Sequence, residues 1–596
     1  MSTTIEQNLP VWDLSHLYSG PDSPTLKAEL ESTDQRSKAF AQKYAGKLQS
    51  LDGDAFGSAI AEFENLSEIL QKVMSYGQLL FATNTGDVKV GQFYQTLQEQ
   101  VTDISTELLF FTLEINRLDD ANLEKKQLVG ATGRYASWIR EVRQYRPHQL
   151  SDELEKLLHE KSVTGRSALV RLFEETFSDM RFDVDGVGDG LTQSEVMNLL
   201  SDKSATKRKA AAQGFGAKLN DNIRLLTLIT NTLAKDKDIE DRWRHYDRPV
   251  SDRNLANQVE DDVVDALVES VRTSYGELSH RYYKLKATWF GQDVLDYWDR
   301  NAPLPDDASK LYTWPEAKNL VLDAYRQFTP QMADIAERFF AEGWIDARPK
   351  EGKDSGAFAH PVVPSAHPYI LLNFHGKARD VMTLAHELGH GVHQVLAANQ
   401  GTLMADTPLT TAETASVFGE MLTFRKMVDG ETDPARRKIL IAGKVEDMLN
   451  TVVRQIAFHE FETQVHDERK SGELSSQRLG KIWMDIQSKS LGPAIRFDDQ
   501  YANYWAYIPH FVHTPFYVYA YAFGDCLVNS LYGVYANKQD GFAEKYIEML
   551  SAGGTKRHKE LLAPFCLDAS DPNFWHQGLN VVKGFVDELE AMENVR

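Results

Sequence analysis

Cysteine is nearly missing from this chain, with two in 596 residues, Cys526 and Cys566. Two thiols build no disulfide framework, so a reducing compartment is expected. Neither lies in a CxxC pair, which excludes a zinc knuckle. Both are expected as small core residues. Positive charge is also short: 65 Lys and Arg stand against 87 Asp and Glu, a formal net charge of −22. That argues against nucleic acid and anionic membranes as main partners. No apolar run approaches the roughly 18 residues of a membrane span. The opening MSTTIEQNLPVWDLSHLY has no basic region leading into an apolar one, so no secretion signal is read there. The expectation is a cytoplasmic protein. Oligomeric state is not legible.

Proline and glycine are sparse between the apolar-periodic segments. Residues 55–115 place Phe56, Ile60, Phe63, Leu66, Ile69, Leu70 and Val73 at helical spacing, and residues 150–176, 206–236 and 255–290 continue so. Two places break the rhythm. In MRFDVDGVGDGLTQSEV, Gly186, Gly188 and Gly190 supply turn geometry, and Thr192 with Glu195 forms a capping box. This predicts a hairpin, then a helix near residue 193, and a soft boundary between residues 1–192 and 193–596. In residues 356–376, Pro361, Pro364 and Pro368 forbid a helix, and Tyr369 to Phe374 predicts a strand. Such a strand could pair with an extended peptide by edge addition. Basic runs such as Lys207-Arg208-Lys209 are read as solvated. The class is mainly α with a short sheet.

What is present in strength is TLAHELGHGVHQVL, Thr383 to Leu396. No proline interrupts it, Asp380 is a candidate N-cap, and Asn399 a candidate stop. Four residues apart on a helix, His386 and His390 share a face and can present two imidazole nitrogens to one tetrahedral zinc. Glu387 follows the first histidine and stands beside the metal, where a general base belongs. His393 is read as packing, with a ligand role as the alternative. The metzincin pattern is excluded, because position 393 is His and position 396 is Leu. A third ligand is then sought on a later helix. Glu413, in TPLTTAETASVFGEMLTF, follows His390 after 22 intervening residues. It also completes a Thr410-x-x-Glu413 capping box, a role that needs no metal. Glu420, seven residues on, is placed to accept the other ring N–H of a ligand histidine. Asp406 is a weaker candidate ligand.

LAHELGHGVHQ followed by AETASVFGE resembles the thimet oligopeptidase family of zinc peptidases, most of all its oligoendopeptidase F branch. WDLSHLY (Trp12–Tyr18), PYILLNF and DPNFW (Asp571–Trp575) extend the likeness over nearly the whole chain. The linker between His390 and Glu413 is slightly shorter than is usual there. The resemblance implies a large helical zincin-type metallopeptidase with a small β-sheet beside the HExxH helix and a deep substrate channel. It implies one zinc per chain, held by His386, His390 and Glu413, with Glu387 as catalytic base. The implied activity is hydrolysis of internal bonds in short unstructured peptides. A carboxypeptidase or dipeptidase on the same scaffold, and a non-catalytic peptide-binding protein, are the alternatives.

NYWAYIPHFVHTPFYVYAYAFGD, residues 503–525, is rich in tyrosine. An aromatic core helix beginning near Phe516 would explain it. Hydrolysis of an amide also needs donors for a developing oxyanion, and Tyr and His suit that task. By the resemblance, His510, Tyr517 and Tyr521 contact substrate there, with His513 and Tyr519 as alternatives. AFHEFETQVHDE, residues 457–468, spaces His459 and His466 seven apart, a poor pair for one metal, and is read as an ordinary structural or substrate-facing helix.

Overall fold

Asp52 opens the first of the apolar-periodic segments by accepting a hydrogen bond from the Ala55 N–H, and the helix Gly53–Ala82 follows with Phe56, Ile60, Leu66, Leu70 and Val73 buried. The other periodic segments also form helices, and the chain is mainly α. The computed structural model describes residues 9–162, 164–305, 310–354, 356–538 and 540–594. They divide into two compact units, neither continuous in sequence.

The first unit comprises residues 1–146, 309–430 and 538–566. Its sheet has three short strands: Ile345–Asp346 runs parallel to Tyr369–Leu371, which runs antiparallel to Phe358–His360. The expected strand is therefore central and flanked on both sides. Its backbone groups are used on both sides, which overturns the expectation of edge addition along residues 368–374; the edge strand on the antiparallel side is Phe358–His360. The WDLSHLY segment packs on this sheet, with Trp12 edge-on to Tyr369 at 5.7 Å and the Tyr369 hydroxyl donating to the Asp13 carbonyl at 2.9 Å. At the sheet's end Lys353 is buried and donates to the Asp346 carboxylate and to the Leu372 carbonyl.

The second unit comprises residues 147–308, 431–537 and 567–596. The predicted hairpin is there, as strands Phe182–Val184 and Gly188–Leu191. The Thr192–Glu195 capping box starts the helix Gln193–Leu199. The boundary placed at 192/193 falls inside this unit. A 39-residue helix, Ala205–Trp243, follows. Its phase turns Arg208 inward, where the guanidinium meets the Asp299 carboxylate at 2.7 Å at 2% exposure. The reading of Lys207-Arg208-Lys209 as wholly solvated is thus corrected at its middle residue. Of the two cysteines, Cys526 is buried and Cys566 is exposed. Cys566 closes the short turn Ala563–Phe565 of the first unit in a left-handed conformation at the surface, which is why it is not core.

Candidate active site

The histidine helix spans Ala378–Ala397, starting earlier than expected. Asp380 is not its N-cap. Lys377 holds that position, and the Asp380 carboxylate reaches back to accept from the Lys377 and His375 N–H groups. The apolar face, Val381, Leu384, Leu388 and Val392, is buried. This fixes the rotation of the helix and so the direction of the histidines one position away.

Glu413 is also placed differently from the expectation. A single turn, Leu409–Ala412, ends at Glu413, and the longer helix Thr414–Gly430 begins after it. Glu413 sits at the break, not in the first turn of a helix capped by Thr410. Its carboxylate accepts from the Ser416 hydroxyl at 2.7 Å. The capping box is therefore absent, and the carboxylate points to the histidines.

Two close approaches bring the helices together. A Cβ on Gly389 would lie 2.4 Å from the Ala415 carbonyl oxygen, so only glycine permits this crossing. A Cβ on Gly419 would lie 2.3 Å from the Tyr325 hydroxyl. That hydroxyl, from helix Trp314–Phe328, donates to the Ala385 carbonyl on the histidine helix. Tyr325 thus braces both helices at the site, and nothing in its sequence surroundings marks it.

The result is a three-residue cluster. Among the described residues, His386, His390 and Glu413 form the one group of three potential metal-ligating side chains, with ligand atoms within 4.8 Å of one another. His386 Nε2 lies 3.3 Å and His390 Nε2 3.4 Å from the same Glu413 oxygen. Charge-assisted hydrogen bonds are shorter, about 2.7–2.9 Å. Ligand atoms about 2.1 Å from a tetrahedral zinc are about 3.4 Å from each other. The donor set, two nitrogens and a carboxylate oxygen, and its spacing fit a zinc ion.

The electrostatics favour positive charge at this point. Burial opposes charge on His386, but hydrogen bonds to Glu413 and Glu420 outweigh it and lift the imidazole well above its usual range. Burial also opposes charge on Glu413, and the two imidazoles outweigh it, holding its carboxyl well below the usual range. Glu420 accepts at 3.2 Å from His386 Nδ1, the partner expected for it. Glu387 is 6% exposed, and burial pushes its carboxyl up. It also faces the Ala359 backbone N–H of the edge strand, whose carbonyl accepts from Gln394.

Two further candidates fall outside the cluster. His393 is buried, and burial pushes it down to about 4. It meets the backbone of Ala412, so it packs the histidine helix against the turn before Glu413. Asp406 is exposed and accepts from the Thr407 N–H.

In the second unit, His510, Tyr517 and Tyr521 come together with one another. The Tyr517 and Tyr521 rings are 5.2 Å apart, and His510 Nε2 is 3.4 Å from the Tyr521 hydroxyl. Helical spacing does not do this. His510–His513 is a single turn, and the next helix starts at Tyr519, not Phe516. Phe516 intervenes with φ +59°, a strained conformation for a bulky residue. Its N–H donates to Glu462 at 2.8 Å, and its ring packs on His459 and His466. The segment 457–468 is thus a buried structural support for the bend. Glu462 was not singled out by the sequence; its only signal is an acid on an otherwise buried helix face, and burial pushes it up to about 8. The alternatives are engaged elsewhere: His513 Nε2 is 3.4 Å from Glu174, and the Tyr519 hydroxyl accepts from Asn257.

Comparison with known proteins bears on this geometry. Residues 198–581 match the family model described as Peptidase family M3. The chain belongs to that family. Residues 114–182 match a second model, described as Oligopeptidase F. As a family M3 member the chain is a metal-dependent peptidase. It is similar to the oligopeptidase PepF of Bacillus subtilis, 27% identical over 98% of this chain and 87% of the relative. An oligoendopeptidase F homolog of Borreliella burgdorferi is 26% identical, over 98% of each chain. The fold is shared with the oligoendopeptidase-F structure from Enterococcus faecium, at TM-score 0.71 and 20% identity over 96% of this chain and 98% of that one. A solved structure from Chlamydophila abortus reaches TM-score 0.85 at 21% identity, over 98% of each chain. No described helix is long and apolar enough to cross a membrane.

Proposed function

We propose that this family M3 peptidase is a cytoplasmic zinc endopeptidase that hydrolyses internal bonds of short unstructured peptides. The observation that carries this reading is the spacing of His386 Nε2, His390 Nε2 and the Glu413 carboxylate, which suits tetrahedral zinc and is longer than a strong charge-assisted hydrogen bond. One zinc per chain would be held by these three groups. When bound, it would lower the pKa of water toward about 7 and polarise the scissile carbonyl. Glu387, buried beside the cluster, takes a proton from the attacking water at a carboxylate oxygen and passes it to the leaving amine nitrogen. Glu420 accepts the Nδ1 proton of His386, which leaves Nε2 as the lone-pair donor. His510, Tyr517 and Tyr521 present N–H and O–H groups of the kind that stabilise an oxyanion. The family matches at 114–182 and 198–581 suit a division into an N-terminal region, 1–192, and a catalytic region, 193–596.

The test combines metal analysis with a quenched-fluorescence peptide blocked at both ends. About one zinc per chain is expected, with cleavage lost to a chelator and restored by zinc. Cleavage that ignores the chelator would remove the metal from the account. Cleavage confined to peptides with a free terminus would make the enzyme an exopeptidase.

A further inference from the structure

The second unit contains a partly open chamber of about 90 Å³ lined by two arginines, Arg300 and Arg454, and by aromatic side chains that include Tyr501, Tyr507 and Trp483. Guanidinium and indole N–H groups can only donate hydrogen bonds. Arg300 Nε and Trp483 Nε1 are both buried and have no acceptor among the described residues. Neither arginine has a carboxylate within ion-pair distance there. Arg454 donates to the Tyr507 hydroxyl at 3.2 Å and lies over the Phe458 ring, both neutral partners. The groups acting on Arg300 are likewise tyrosines, Tyr283, Tyr501 and Tyr507.

Other buried cations of the same unit are treated differently. Arg208 meets Asp299 at 2.7 Å, and Lys286 meets Glu446 at 2.5 Å. Placing two cations at one cavity without a counter-charge is costly, because desolvation and mutual repulsion both act against it. Water could satisfy the N–H groups without supplying a counter-charge. In a chain of net charge −22, an isolated positive chamber is the exception.

We infer that this chamber binds a small anion between Arg300 and Arg454. The volume admits an ion from chloride to acetate or phosphate in size. The recognition chemistry is common to these ions: two guanidinium groups, an indole N–H and tyrosine hydroxyls. Tyr507 lies three residues before His510, so occupancy is expected to alter turnover as well. That consequence rests on the role proposed for His510; the binding does not.

Thermal denaturation and calorimetric titration of the full zinc-loaded chain test the binding. Chloride, acetate and phosphate are each added at constant ionic strength, with gluconate as the bulky reference anion. At least one small anion is expected to raise the midpoint saturably. Arg300→Met and Arg454→Met should each raise the half-saturating concentration about tenfold or more, and Arg454→Lys should lose less than Arg454→Met. Arg171→Met, at an exposed site, should match the parent protein. If Arg300→Met fails to fold, the Arg454 pair decides. No saturable effect of any anion at constant ionic strength would overturn the inference, as would parent-like titrations of the methionine variants.

Discussion

His386 and His390 stand one turn apart on a single helix and face one carboxylate oxygen at 3.3 and 3.4 Å. His510, Tyr517 and Tyr521 meet only because the chain passes through a left-handed residue at Phe516. The first arrangement is local in sequence and depends on one helix–helix crossing. The second is irregular and is maintained by Glu462 and by a buried aromatic packing around Phe516. The lesson is that ligand geometry for a metal can be carried by helical repeat, whereas donors placed along a bend need a separate scaffold.

That contrast can be broken or sharpened in order of effect. Glu387→Gln should keep the zinc, by elemental analysis, while kcat falls about a hundredfold or more; normal turnover would remove Glu387 from the role of base. In the bend, Tyr521→Phe should lower kcat about a hundredfold if its hydroxyl stabilises the oxyanion. Tyr519→Phe, which loses only the hydrogen bond with Asn257, should cost about 1 kcal/mol of stability and spare kcat. Equal kcat losses in the two variants would show a packing role for both. Glu420→Gln should weaken zinc affinity about 10- to 100-fold, measured by chelator competition, while the peptidase remains active at saturating zinc. Gly389→Ala places a methyl against the Ala415 carbonyl and should cost about 1–3 kcal/mol in denaturant unfolding. An unchanged midpoint would mean that the crossing yields easily.

The helical class, the hairpin at 182–191 and the facing of His386 and His390 were legible because period and turn chemistry are local. The N-cap lies three residues before Asp380, at Lys377, since a carboxylate that reaches back to N–H groups resembles an N-cap in sequence. Glu413 was legible as a candidate, but its capping-box pattern could be settled only by the break between Ala412 and Thr414. Arg208 looked solvated because a charge run hides which residue faces inward, and that depends on the phase of a 39-residue helix.

The sequence by itself determined that two imidazoles share one face beside a glutamate, because helix geometry is set by backbone hydrogen bonds between near neighbours. Tertiary structure alone decided that Glu413 meets them, that Tyr325 braces the crossing, and that Tyr369–Leu371 is a central strand. Those outcomes depend on contacts between residues far apart in the chain, whose partners no local pattern names.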